Sequence, residues 1–162
     1  MPDHDTSGLV AKVLTVSDGV IHRTREDKSG AVLVELLEAN GYEIAERRVV
    51  ADGVDNVAPA LIELAKDFNG LVVTTGGTGF GPRDLTPEAT RSVLEREAPG
   101  IAEAMRLVNP LGRLSRAVAG TRGVALIVNA PGSPKGAVET VEAVLDVIPH
   151  AIRLMAAAPT DH

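Results

Sequence analysis

The chain has no cysteine and no tryptophan, and its 162 residues include two phenylalanines and one tyrosine. Without cysteine there is no disulfide, no thiolate metal site and no cysteine nucleophile. So few aromatics leave no platform for stacking bases, and a formal net charge of −6 opposes tracking of a phosphate backbone. Nucleic acid is therefore not an expected partner. No apolar run approaches the roughly 18 residues of a membrane span, and Met1-Pro2-Asp3-His4-Asp5 is acidic where a signal sequence is basic. The expected location is cytoplasmic, with no membrane partner. His4, His22, His150 and His162 are scattered and have no metal-ligand spacing.

What the chain does have is aliphatic: 44% of it is hydrophobic, nearly all Ala, Val, Leu and Ile. Such a composition suits a buried parallel sheet. At this length one domain, residues 1–162, is expected, with frayed ends at 1–7 and 158–162. Leu9 to Val16 reads as a strand, Ser17 to Glu26 as polar loop, and Asp27 to Asn40 as a helix terminated by Gly41. Glu43 to Val50 is a second strand. Val54, Val57, Ala58, Leu61, Ile62 and Ala65 follow helical spacing. Gly70 to Thr74 is a third strand, followed by helices from Pro87 to about Glu97 and from Gly100 to Val108. Residues 109–123, punctuated by glycine and proline, predict a small extended excursion or hairpin. Val124 to Val128 is a further strand, and Val138, Val141, Leu145, Ile148 and Ile152 mark a closing helix kinked at Pro149.

Alternating strands and helices predict an α/β fold, a mostly parallel twisted sheet with helices on both faces. Ligands of such sheets sit beyond the C-terminal strand ends. That rule gathers three loops, each with an aspartate: Ser17-Asp18, Ala51-Asp52-Gly53, and the turn that begins at Thr75-Gly76-Gly77-Thr78-Gly79 and runs to Asp84.

The third loop carries the densest signal. Gly76, Gly77, Gly79 and Gly81 strip side chains from a turn so that backbone N–H groups can converge on an oxyanion. Thr86 as N-cap with Pro87 at the first helical position would open a helix N-terminus beyond it. These features suit phosphate. The loop matches neither G-x-G-x-x-G nor a Walker A sequence. Asp84 beside a phosphate is repulsive unless a divalent cation bridges the two, so nucleotide plus Mg²⁺ is expected, and Asp84 and Asp52 could share that metal or divide the work between metal and substrate.

Other residues read two ways. Asp52 precedes a helix and can serve merely as its N-cap. In Asp27-Lys28-Ser29-Gly30, Asp27 can cap a helix while Ser29 contacts an anion. Arg116, in Leu114-Ser115-Arg116, can grip a phosphate bidentately or stay solvated. Ser133 can cap a helix that starts at Pro134, and Lys135 at that helix start is disfavoured by the dipole, which favours an anion nearby.

Thr75-Gly76-Gly77-Thr78-Gly79-Phe80-Gly81-Pro82-Arg83-Asp84-Leu85-Thr86-Pro87-Glu88-Ala89-Thr90, with Glu97-Ala98-Pro99-Gly100, Leu114-Ser115-Arg116 and Asn129-Ala130-Pro131-Gly132-Ser133-Pro134, resembles the molybdenum-cofactor biosynthesis family. The likeness runs from about Val10 to Ala156 and is narrowest with bacterial molybdopterin adenylyltransferases and the matching domain of gephyrin-type proteins. It implies a homotrimer that transfers AMP from MgATP to the terminal phosphate of molybdopterin, releasing pyrophosphate, with hand-over to a molybdenum-inserting protein.

By that resemblance Asp52 and Asp84 are catalytic, and Thr75, Gly76, Gly77, Thr78 and Gly79 hold the nucleotide. Ser17, Asp18, Ser115, Arg116, Asn129, Pro131 and Ser133 border molybdopterin. Ala51 departs from the family's usual proline before the aspartate. The nucleophile would be a phosphate already anionic at neutral pH, which needs no histidine base. A non-enzymatic molybdopterin-binding protein and a nucleotide-hydrolysing relative are the alternatives within the same resemblance.

Overall fold

In the computed structural model, which describes residues 7–157, the chain folds around a six-stranded sheet. Its elements are β1 (Val10–Val16), α1 (Asp18–Ile21), α2 (Lys28–Ala39), β2 (Glu43–Val50), α3 (Val54–Ala65), β3 (Gly70–Thr75) and α4 (Thr86–Val93). They continue as β4 (Arg96–Glu97), α5 (Pro99–Leu107), a 3₁₀ turn (Pro110–Leu114), β5 (Ala119–Arg122), β6 (Ala125–Ala130), α6 (Pro134–Glu142) and α7 (Ile148–Met155). The strand order is β2-β1-β3-β6-β5-β4, parallel through the first four and antiparallel for the last two. The expected terminal fraying, apart from Ser7, concerns residues outside those described.

Side-chain alternation divides the core into two layers. Ala11 and Val13 of β1, Leu71 and Val73 of β3, and Leu126 and Val128 of β6 face α2, α5, α6 and α7. Leu14, Val72 and Ile127 face α3 and α4 instead. Leu14, Leu71, Leu126 and Ile127 have essentially no exposure, and each such burial stabilises the fold by about 1.5–3 kcal/mol. Among the described residues no helix is long and apolar enough to cross a membrane.

Register places the strand exits side by side. Val16 of β1 pairs with Val50 of β2, Thr15 with Thr75 of β3, and Thr75 with Ala130 of β6. The ladders run one step further, Ser17 N–H donating to Val50 O and Gly76 N–H to Ala130 O. Four loops therefore leave the sheet along one edge.

Three expected elements differ. The helix that starts at Thr86 ends at Val93, because Glu95 N–H and Ala98 N–H donate to Thr121 O and Ala119 O and draw Arg96–Glu97 into the sheet as β4. The 109–123 excursion takes the expected hairpin form, β5 pairing antiparallel with β6, with a 3₁₀ turn before it. The closing helix is two helices, α6 and α7, and Pro149 lies in the first turn of α7, where its missing N–H costs nothing. The polar loop after β1 contains the short helix α1, capped by the Ser17 hydroxyl accepting from Val20 N–H at 3.2 Å.

Candidate active site

The glycine turn after β3 is folded tightly against its neighbours. Gly76 and Gly77 have φ of 101° and 70°, a region that side-chain-bearing residues rarely adopt. A Cβ on Gly76 would run into the Val16 carbonyl, and one on Gly77 into the Thr86 hydroxyl. Gly132, after β6, approaches so closely that its Cβ would lie 3.3 Å from Gly76 Cα. The Thr75 hydroxyl donates to Pro131 O at 2.8 Å and joins the β3 and β6 exits. Thr86 is not the N-cap the sequence predicted. Leu85 holds that position without a side-chain bond, and the Thr86 hydroxyl instead donates to Gly76 O at 2.9 Å. Thr86 N–H adds a bond to Gly77 O, so the residue straps the turn.

The acidic residues differ in their surroundings. Asp84 folds back on its own loop, its carboxylate accepting from Gly81 N–H at 2.9 Å and pairing with no cation among the described residues. Asp52 is not a helix cap, since Gly53 precedes α3. Its carboxylate accepts from Asp18 N–H at 2.9 Å, while Asp52 N–H donates to the Asp18 carboxylate at 3.0 Å. Arg83 closes this pair, donating from Nε and Nη2 to Asp18 at 2.6 and 3.0 Å and from Nη2 to Asp52 O at 2.8 Å. The Arg83 guanidinium holds the Asp18 carboxyl below the usual carboxylate range. Partial burial pushes the Asp52 carboxyl up, and the negative charges of Asp18 and Asp84 add to that shift.

These loops enclose a cleft of about 950 Å³. Of the expected residues, Ser17, Asp52, Thr75, Gly76, Gly77, Thr78, Gly79, Asp84, Ser115, Pro131 and Ser133 line it. Asp18 does not, being turned toward Arg83. A smaller hollow of about 280 Å³ adjoins it beneath the 3₁₀ turn and shares Leu111, Ser115, Pro131 and Ser133 with it.

Arg116 and Asn129 are both engaged by other parts of the protein. Arg116 donates from Nε to Gly79 O at 2.8 Å, from Nη2 to Asp84 O at 2.5 Å, and from Nη1 to the Glu88 carboxylate at 2.6 Å. All three guanidinium nitrogens are thus committed to holding the glycine turn against α4, and Arg116 is no part of the cleft wall. Asn129 is fully buried, in the wall behind the smaller hollow. Its amide donates to Thr74 and Thr90 hydroxyls and its oxygen accepts from Val118 N–H, which leaves one lone pair to spare. Lys135 lies on the smaller hollow and pairs loosely with Glu139 at 3.8 Å.

Ser29, read from the sequence as a candidate anion contact, lines the cleft too, as do Val20, Arg25, Glu26, Lys28, Leu111 and Leu114, which the sequence left in the background. A basic residue beside a capping Asp27 was the available signal for Lys28. Among the described residues there is no cluster of three or more acidic or histidine ligands. Two hard carboxylates flanking backbone N–H groups still fit Mg²⁺, which commonly takes one or two protein carboxylates and completes its shell with water and substrate phosphate.

The comparisons with known proteins agree with one another. Residues 12–150 match the family model described as a probable molybdopterin binding domain. The chain is 40% identical over 151 residues to a Helicobacter pylori molybdopterin adenylyltransferase, covering 88% of this chain and 85% of that protein. It is 39% identical over 142 residues to the Escherichia coli K12 molybdopterin adenylyltransferase, 83% of this chain and 72% of that one. Among solved structures, the molybdopterin biosynthesis enzyme MoaB from Thermus thermophilus superposes with a TM-score of 0.88 at 45% identity, covering 94% of this chain and 99% of the other. A cleft at four parallel strand exits, the glycine turn with its two aspartates, and these likenesses over most of the chain together place the protein in the molybdopterin-binding domain family of molybdenum-cofactor biosynthesis.

Proposed function

We propose that the protein is a molybdopterin adenylyltransferase, transferring AMP from MgATP to the terminal phosphate of molybdopterin. The observation that carries this reading is one cleft in which a backbone-lined glycine turn faces Asp52 and Asp84 at the strand exits. In the transfer, a phosphate oxygen of molybdopterin attacks the α-phosphorus of ATP. The bond from that phosphorus to the bridging oxygen breaks, and pyrophosphate leaves with the electron pair.

The chain's residues then have distinct tasks. Thr75, Gly76, Gly77, Thr78 and Gly79 offer a side-chain-poor surface on which nucleotide phosphates can lie against main-chain donors. Asp84, tethered to Gly81 N–H, and Asp52, tethered to Asp18 N–H, hold their carboxylates in place before any ligand arrives. Bound there, Mg²⁺ would neutralise charge on the phosphates and the departing pyrophosphate. Ser17, Ser115, Pro131 and Ser133 border the pterin, with the smaller hollow beside them offering apolar room for a flat ring. No proton need be removed from the nucleophile, so the site works by positioning and electrostatics.

The same reading makes the protein a cytoplasmic homotrimer that passes adenylylated molybdopterin to a molybdenum-inserting protein. Exposed Phe80, Leu107, Leu111 and Leu114 supply apolar surface for such contacts. Incubation with molybdopterin and MgATP should yield adenylylated pterin and pyrophosphate in equal amounts. Pterin binding without pyrophosphate release would reduce the protein to a carrier.

A further inference from the structure

The cleft has a cation problem. Its acidic members are Glu26, Asp52 and Asp84, its cationic members Arg25 and Lys28. Arg83, within the glycine-turn loop, and Arg116, bonded to that loop, are both consumed by protein oxygens. Arg25 and Lys28 form no side-chain hydrogen bond or ion pair among the described residues. Both precede or begin α2, a helix of 12 residues whose N-terminus opens on the cleft.

The N-terminus of α2 is unevenly satisfied. Asp27 caps it by accepting from Gly30 N–H at 3.0 Å, Ala31 N–H is turned to Asp27 O, and Lys28 N–H to Glu26 O. The Asp27 carboxylate is itself engaged by Arg47 at 3.0 Å and by the Thr15 hydroxyl at 2.9 Å, so its charge is largely answered. Ser29 is left over. It is 8% exposed, it lines the cleft, and its hydroxyl makes no hydrogen bond among the described residues. An unpartnered hydroxyl that opens on the cleft at a helix N-terminus is free to donate to an acceptor bound there. Lys28 in the first turn opposes the helix dipole, a cost that a bound anion reverses.

We propose that Ser29 and Lys28, with Arg25 at the rim, form a phosphate-binding subsite of this cleft, separate from the glycine turn. It binds a phosphate group, either a nucleotide phosphate or the phosphate monoester of the second substrate. This rests on the reading of the cleft as a place where two phosphorylated molecules meet. Two anions brought together then have distinct anchors: one at the glycine turn with the aspartates, the other at the α2 N-terminus with direct cations. Charge-assisted hydrogen bonds from an ammonium and a hydroxyl are the strong kind.

Titration of the full chain with inorganic pyrophosphate, followed by calorimetry and by the Ser29 and Gly30 amide resonances, tests the subsite without turnover. Those resonances should shift in the wild type, and the affinity should fall at least about tenfold in Lys28→Gln/Ser29→Ala, given the strength of such bonds. The thermal midpoint should stay near wild type, since neither group holds another part of the protein. Unmoved Ser29 and Gly30 resonances, or an unchanged affinity in the double variant, would overturn the proposal.

Steady-state kinetics of the double variant identify the occupant. A raised KM for MgATP assigns the subsite to the nucleotide, and a raised KM for molybdopterin assigns it to the pterin phosphate. Wild-type constants for both would overturn the subsite while leaving adenylyl transfer intact. Conversely, a wild-type chain that shifts its Ser29 resonance with pyrophosphate yet makes no adenylylated pterin would remove the enzyme and keep the subsite.

Discussion

Asp18 and Asp52, 34 residues apart in sequence, each accept a hydrogen bond from the other's backbone N–H, at 2.9 and 3.0 Å. The exchange joins the exits of β1 and β2 and fixes the Asp52 carboxylate at the cleft wall. Arg83 holds the pair from outside through Asp18 and Asp52 O. A residue from the glycine-turn loop thereby sets the geometry of a carboxylate on another loop, which ties the placement of Asp52 to that of Asp84 one residue beyond Arg83.

Arg83→Gln should uncouple function from stability. The Arg83 side chain is 61% exposed, and ion pairs of that kind contribute about 0.2–1 kcal/mol. At ~2–4 °C per kcal/mol for a chain of this size, the thermal midpoint should fall by no more than about 4 °C. Adenylylation should fall more than about tenfold, since a carboxylate displaced by a fraction of an ångström loses its aim. Rate and midpoint measured on the same variant check this, and a wild-type rate would show that Asp52 needs no such support.

Thr86→Val keeps the shape and removes the hydroxyl. Thr86 is fully buried, and the Gly76 carbonyl would lose its donor. An unsatisfied buried acceptor costs about 1–3 kcal/mol. The midpoint should drop by about 2–12 °C at that cost, and calorimetry decides it. A drop below 1 °C would mean that water replaces the hydroxyl without loss.

The fold and half the site were legible in the sequence for a common reason: both follow from local pattern. Aliphatic strands alternating with periodic helices dictate parallel strand exits on one edge, and that alone gathers Ser17, Asp52, the glycine turn and Pro131. The protein contacts of Arg116 and Asn129 were not legible, because a long or buried donor is assigned by whichever oxygens tertiary packing brings near. Gly79 O and Asp84 O lie 37 and 32 residues away from Arg116. The short strand β4 escaped notice for the same reason, since two residues become a strand only when β5 arrives to pair with them. Thr86 looked like a cap because capping is what Thr-Pro-Glu does locally, and a distant carbonyl competed for its hydroxyl.

Arg116→Ala should act through stability and show it in acid. The Arg116 guanidinium beside Glu88 lowers the carboxyl's pKa in the folded protein. A depressed folded-state pKa stabilises the protein above the unfolded value of about 4.3 and loses that contribution as pH falls through the folded value. The wild type should therefore exceed Arg116→Ala in thermal midpoint at pH 6 to 7, and the gap should narrow toward pH 3. Loss of the bonds to Gly79 O and Asp84 O should persist at every pH. Midpoints of both proteins from pH 3 to 7 test this, and a gap that widens in acid would mean that Glu88 is not stabilised by Arg116.

Asp84→Asn separates the catalytic role of this residue from a structural one. The amide oxygen of Asn can still accept from Gly81 N–H, so the loop should keep its shape and the thermal midpoint should stay within about 2 °C, as for a surface change worth under ~0.5 kcal/mol. What disappears is the negative charge, which forms no ion pair with a protein cation among the described residues. If that charge holds Mg²⁺ against the departing pyrophosphate, the loss belongs to the transition state and should appear in turnover rather than in molybdopterin affinity. Removal of one such electrostatic contact slows a reaction by about 10²-fold or more. Turnover, molybdopterin affinity and midpoint measured together decide the matter. Full turnover would remove Asp84 from the chemistry, and a collapsed midpoint would make it a structural residue of the glycine turn.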